Sequence, residues 1–153
     1  MLIIVFFSSC DEEGVYHSYE EIPEAWQKDS AVVFKVNKLD TIQPYNVFIT
    51  LRNDNDFAFS NLFLITQMQF PHGKTISDTL EYTMARPDGT WLGTGFNDVK
   101  ENKLWYKESV IFNESGTYTF KVRQAMRHNG DVEPVTNLKG IKDVGLRIEK
   151  SKE

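Results

Sequence analysis

The run Tyr45-Asn46-Val47-Phe48-Ile49-Thr50-Leu51-Arg52 sets how the rest of the chain is read. Tyr45, Val47, Ile49 and Leu51 alternate with Asn46, Phe48, Thr50 and Arg52, and a period of two places the first set on one face of an extended strand. The same period recurs on both sides. Val32, Phe34 and Val36 share a face upstream; downstream come Leu62, Leu64, Met68 and Phe70, then Ile76, Leu80, Tyr82 and Met84, then Tyr106, Val110 and Phe112. Tyr118, Phe120, Val122 and Met126 follow, and Val144, Leu146 and Ile148 make the last set. These are seven strands, with Val15 to Tyr19 as a short candidate for an eighth at an edge.

Turn chemistry fills the gaps. Pro71-His72-Gly73, Pro87-Asp88-Gly89 and Asn129-Gly130 each pair a residue that fixes φ or tolerates the left-handed region with a glycine that occupies it freely. An apolar stripe at helical spacing is sustained nowhere over 11 residues or more, and Pro23 and Pro134 interrupt the weak candidates. Short strands joined by tight turns predict an all-β fold, an antiparallel two-sheet β-sandwich of the jelly-roll or Ig-like kind with seven to eight strands. Glu114-Ser115-Gly116-Thr117-Tyr118 is similar to the tyrosine corner of Greek-key sandwiches, in which the phenol bonds upstream backbone; an ordinary hairpin with a core tyrosine is the other reading.

Composition narrows function by exclusion. Lys plus Arg number 17 and Asp plus Glu 22, so the chain of 153 residues carries a net charge of −5, the wrong sign for a nucleic-acid clamp. The charge is also uneven: residues 11 to 30 hold seven acids against Lys28 alone, and the remainder is close to neutral. An acidic stretch poor in apolar residues buries little, so residues 10–21 are read as a flexible tether and residues 22–153 as one sandwich domain.

The first residues stand apart. Met1-Leu2-Ile3-Ile4-Val5-Phe6-Phe7-Ser8-Ser9-Cys10 is a short apolar run, two small residues and a lone cysteine, followed by Asp11-Glu12-Glu13. Spanning a bilayer takes about 20 apolar residues, which this run lacks. It is instead close to the apolar part of a secretory signal, about 7–15 residues ahead of a small-residue cleavage site. Phe7-Ser8-Ser9-Cys10 resembles a bacterial lipobox, in which the thiol is acylated and the chain is cut just before it. Residues 1–9 are then a signal-peptide remnant; the lack of Lys or Arg before the apolar run is expected if the true start lies upstream. A small buried hydrophobe and a chance free thiol are the alternatives for Cys10.

Catalytic and metal signatures are sparse. His17, His72 and His128 are far apart, and with a single cysteine the spacing of a zinc site is absent. Neither a nucleophile elbow, a phosphate loop nor a dinucleotide fingerprint occurs, so no enzyme activity or cofactor is expected. Asn53-Asp54-Asn55-Asp56 clusters oxygen ligands suited to calcium, but Ala58 and Phe59 stand where further ligands and a glycine are needed, which favours a solvated turn. A pair of hydrolytic carboxylates is not selected by anything in the sequence. Tryptophans usually pack; of Trp26, Trp91 and Trp105, the best candidate for a partner or ligand surface is Trp91, because Gly89, Gly93 and Gly95 around it leave the ring accessible. Lys121, Arg123 and Arg127 offer a cationic edge, or simply a solvated sheet face.

Several motifs in order carry a resemblance. Ile22-Pro23-Glu24-Ala25-Trp26, Pro44-Tyr45-Asn46, Leu51-Arg52-Asn53-Asp54-Asn55-Asp56-Phe57, Phe59-Ser60-Asn61-Leu62-Phe63-Leu64 and Phe70-Pro71-His72-Gly73-Lys74 make the first half. Asp78-Thr79-Leu80-Glu81-Tyr82, Pro87-Asp88-Gly89-Thr90-Trp91-Leu92-Gly93-Thr94-Gly95, Asn102-Lys103-Leu104-Trp105-Tyr106-Lys107, Gln124-Ala125-Met126-Arg127 and Asp143-Val144-Gly145-Leu146-Arg147-Ile148-Glu149 make the second. From about Cys10 to Lys150 the chain resembles the GldH family of gliding-motility lipoproteins from the Bacteroidetes.

The resemblance implies a noncatalytic cell-envelope lipoprotein, anchored through an acylated Cys10, working with other envelope motility proteins and the type IX secretion machinery of that phylum. It implies no cofactor and no catalytic residues. Acids directly after the cysteine are similar to signals that send such lipoproteins to the outer membrane surface, and both the periplasmic and the outer face stay open. The interface expected for a scaffold is the loop of Trp91, Gly93 and Gly95 together with strand edges. A surface carbohydrate-binding sandwich is the alternative.

Overall fold

The computed structural model describes residues 14–95, 97–128 and 130–152. Among them are ten strands and no helix: β1 Gly14–Glu21, β2 Trp26–Gln27, β3 Val32–Val36, β4 Pro44–Asn53, β5 Asn61–Gln69, β6 Thr75–Thr83, β7 Lys100–Ile111, β8 Tyr118–Gln124, β9 Asn137–Leu138 and β10 Ile141–Lys150. All seven strands expected from the period of two are present. The two-residue strands β2 and β9, which pair with each other, are too short to show a period.

The strands make two antiparallel four-stranded sheets, in the orders β1-β10-β4-β7 and β3-β8-β5-β6. Only β5 and β6 are joined as an in-sheet hairpin; every other step between the eight main strands crosses from one sheet to the other. This interleaving of two four-stranded sheets is the jelly roll, which settles the choice between the two expected sandwiches. The core is the set of inward positions already paired by period. Val32, Phe34, Val36, Leu62 and Leu64 of one sheet meet Val47, Ile49, Leu51, Val144, Leu146 and Ile148 of the other in one buried cluster. An aromatic group closes one end of it, with Phe112 and Tyr118 at 4.9 Å and Phe70 and Tyr118 at 5.2 Å between ring centroids. The Tyr118 hydroxyl donates to Glu114 O at 2.9 Å and accepts from Glu114 N at 3.0 Å, which is the tyrosine corner.

Two expectations are corrected. Residues 14–21 are not a tether: they form edge strand β1, whose Tyr16 packs on the core and whose backbone pairs with β10 from Gly14↔Glu149 to Glu21↔Asp143. Acids at an edge face water without breaking the ladder, so Glu20 and Glu21 are compatible with a strand. The rest of the tether, with Cys10, lies outside the described residues, as does Asn129. Asn53 is not part of a solvated turn. It is fully buried at the end of β4, where Asn102 Nδ2 donates to its Oδ1 at 2.9 Å, while Asp54 to Asp56 do turn outward.

Antiparallel pairing gives the sandwich two poles. Gly14 lies level with Glu149 and Asn46, so its pole holds the loops 37–43, 70–74 and 112–117 and residues 151–152. The opposite pole holds the connections 22–31, 54–60, 84–99 and 125–140, and among them the Trp91 loop.

Candidate functional site

The Trp91 loop is a built structure. Gly89 N donates to Arg86 O at 2.9 Å and Arg86 N to Thr90 O at 2.8 Å, closing a tight turn at Pro87-Asp88-Gly89. Asp88 Oδ1 accepts from the Thr90 hydroxyl at 2.7 Å and the Thr90 amide at 3.0 Å, and these bonds hold its carboxyl below the usual range. Ala85 bridges to Trp91, and Leu92 N donates to Met84 O at 2.9 Å, so the loop folds back onto the end of β6.

Trp91 itself is half-buried. Its indole N–H donates to Asn55 Oδ1 at 2.9 Å, and its ring lies 5.9 Å from that of Phe57. The indole thus ties the 84–95 connection to the 54–60 connection. Gly93 sits against β7: a Cβ there would approach Asn102 Oδ1 at 2.7 Å and Glu101 O at 2.9 Å, so a side chain would lift the segment off the strand. Gly95 is exposed, with φ at +151° and no room for a Cβ beside Val99 O at 2.7 Å. The three expected residues therefore lie on one segment, but they do not converge on a common point.

Between the Gly93 segment and the outer face of the first sheet runs a cleft of about 550 Å³. His17, Thr50, Glu101, Lys103 and Arg147 are among its lining residues, together with Leu92 and Gly93. A second feature adjoins it. The Tyr19 ring lies over Gly145, where a Cβ would meet Thr50 Oγ1 at 2.3 Å and Tyr19 Cδ1 at 2.8 Å. Arg52 covers the same ring at 4.4 Å, and the Tyr19 hydroxyl donates to Glu101 Oε1 at 2.8 Å. Burial, aided by that carboxylate, pushes the Tyr19 phenol up.

Beyond it, Phe48 faces outward yet is buried, because Trp105 packs on it at 4.4 Å and Lys103 Nζ sits 4.3 Å over its ring. Lys103 Nζ also reaches both oxygens of buried Glu149 at 2.8 Å. Trp105 remains 53% exposed, more than packing alone would leave, whereas Trp26 is buried with its indole donating to Ser30 O. Sequence reasoning missed this face, because its partners are brought together only by register between β1, β10, β4 and β7. A larger cleft, of about 680 Å³, lies along Glu20 to Val33 and carries Glu20, Glu21 and Glu24. Lys121 and Arg123 belong to β8, and Arg127 bridges to Pro134 beyond its end, so the three do not form one edge. Among the described residues no three His, Cys, Asp or Glu side chains gather to hold a metal ion.

What fold and surface define is a jelly-roll domain with a rigid aromatic loop at one pole and a mixed-charge cleft beneath it. The chain belongs to the GldH lipoprotein family, whose model matches residues 14–148. It is 59% identical over 97% of its length to the "Gliding motility lipoprotein GldH homolog" of Christiangramia forsetii, covering 91% of that protein. It is 47% identical, again over 97% of its length, to the "Gliding motility lipoprotein GldH" of Flavobacterium johnsoniae, covering 92% of that protein. Among solved structures, the infectious bursal disease virus Gx strain matches 98% of this chain and 36% of the viral chain at 11% identity and a TM-score of 0.43. The jelly-roll assignment rests on strand order.

Proposed function

We propose that this chain is a lipid-anchored cell-envelope protein of the gliding apparatus, held through Cys10 at the outer membrane, and that it acts as a noncatalytic scaffold for other motility and type IX secretion components. The observation that carries this reading is identity of 59% and 47% with two gliding-motility lipoproteins along nearly the whole chain. Confinement to a membrane plane raises the effective concentration of a partner, so a modest interface suffices. The Trp91 loop suits that interface: its turn is pre-ordered by Asp88 and Arg86, which spares the entropy of ordering a loop on contact. Exposed Leu92, Val99 and Val132 lie at the same pole.

A photo-crosslinker in place of Leu92 in living cells tests the proposal. Capture of a gliding or secretion component, reduced by Trp91→Ala, is expected; capture of neither, with spreading motility intact in the Trp91→Ala strain, contradicts it. A second reading, surface carbohydrate binding, has one observation in its favour, the exposed Trp105 ring beside the cleft. Glycan-array binding abolished by Trp105→Ala would support it over the scaffold.

A further inference from the structure

Tether length fixes how close one pole stands to the lipid. Four peptide steps separate Cys10 from Gly14, and four residues span at most about 14 Å when fully extended. Gly14 is not the tip of its pole. It pairs with Glu149, which pairs with Asn46, whereas the chain of β4 begins two residues nearer the pole at Pro44 and is preceded by the 37–43 loop. Two strand residues cover about 7 Å, so that loop stands past Gly14 along the strand axis, on the side away from the Trp91 pole.

The loop is polar at Asn37, Lys38, Asp40 and Thr41, and it holds one apolar side chain, Ile42, out from the pole in a fixed position. Ile42 is 82% exposed, and Ile111, opposite Pro44 on the neighbouring strand, is 51% exposed. Asp40 Oδ1 accepts from Ile42 N at 2.8 Å and Gln43 N at 3.2 Å, while the Tyr45 hydroxyl accepts from Asp40 N at 2.9 Å. Gln43 Nε2 donates to Pro44 O at 2.9 Å, and Ser151 N donates to Pro44 O at 3.0 Å, lashing the loop to the C-terminal segment. An isoleucine held out by such a frame gains nothing in water, but it gains apolar contact at a bilayer interface.

We infer that the Gly14 pole is a membrane-contact surface, with Ile42 entering the headgroup and upper acyl region of the bilayer that holds Cys10 and Ile111 at its margin. The inference rests on the lipid-anchor reading. It sets the sandwich upright: β4 runs nine residue steps from Pro44 to Asn53, so the Trp91 pole stands roughly 30 Å from the lipid.

The test uses the full-length acylated protein in phosphatidylethanolamine–phosphatidylglycerol vesicles, with an environment-sensitive fluorophore on Ile42→Cys, on Ile111→Cys, or on Val132→Cys. Val132 is a matched control, being 81% exposed at the opposite pole. Acylated Cys10 does not take the label. A quencher carried on lipid headgroups should roughly halve emission at position 42, reduce it less at 111 and leave 132 unchanged. Equal emission at 42 and 132, with the acyl group present by mass, overturns the contact while leaving the anchor standing. Absence of the acyl group overturns the anchor and the contact together. The Ile111→Cys label decides the matter should the substitution at 42 disturb its loop.

Discussion

The Tyr118 hydroxyl and the Glu114 backbone satisfy each other completely: the phenol donates to the carbonyl and accepts from the amide of one residue, across a turn of four. Tyr118 is at the same time fully buried between Phe70 and Phe112. One side chain therefore locks the crossing from the first sheet to the second and fills the core beneath it.

Tyr118→Phe keeps the ring and removes the corner. The Glu114 amide and carbonyl each lose a partner in a partly buried turn, for a cost of about 1–2 kcal/mol. Thermal unfolding should shift down by roughly 2–8 °C with the circular dichroism of the native sheet unchanged.

Gly140 is the tightest backbone contact of the Trp91 pole. Its φ is +91°, and a Cβ would fall 2.0 Å from Phe57 N and 2.4 Å from Phe57 Cα. Gly140→Ala should cost about 3 kcal/mol or more. Gly73, with φ +101° and nothing within 4 Å of a Cβ, isolates the conformational part: Gly73→Ala should cost about 1 kcal/mol. Equal midpoints in urea for the two variants would refute the packing argument.

Alkali should unfold the protein through its phenols. Burial raises Tyr82, Tyr106, Tyr118 and Tyr19 above the ordinary value of 10.0, so the folded state holds these protons more tightly than the unfolded chain. The stability they supply is fully present below pH 10 and is lost as pH rises through and beyond it, as the unfolded state ionises first. Unfolding free energy measured from pH 8 to 11.5 should fall above pH 10, and Tyr82→Phe should make the fall shallower. A stability that rises above pH 10 contradicts the assignment.

Asn55→Ala removes the acceptor of the Trp91 indole, a bond near the surface. A stability loss of about 0.5–1 kcal/mol is expected. Crosslinking from position 92 should fall more than that small loss explains, because the ring is no longer held; unchanged capture would mean that Trp91 orientation is irrelevant to the partner.

Half-burial is what made the fold legible. Strands such as Val32–Val36 bury every second side chain, and that pattern survives in one-dimensional text. The corner was readable too, because Glu114 and Tyr118 are neighbours in sequence. Strand order was not: β10 lies between β1 and β4, and nothing local to Val144-Gly145-Leu146 encodes a partner so far away. Val15 to Tyr19 was legible as an edge strand, but Glu20 and Glu21 made the segment read equally as the end of a tether, because β1 buries only part of one face. Trp105 lies inside β7 on the outer face, where Phe48 supplies the cover, and nothing in its local sequence marks that face. Trp91 was legible as a loop residue, but its bond to Asn55 spans 36 residues and belongs to the tertiary fold.

Cys10 is proposed to hold the jelly roll at a lipid surface. Mass spectrometry of the N-terminal peptide, taken from protein extracted from the membranes of its own cells, tests this directly. The prediction is a chain beginning at Cys10 with acyl groups on it, and loss of the membrane-bound fraction in Cys10→Ala. Residues 1–9 still attached to an unmodified thiol, in a protein recovered from the soluble fraction, would contradict it.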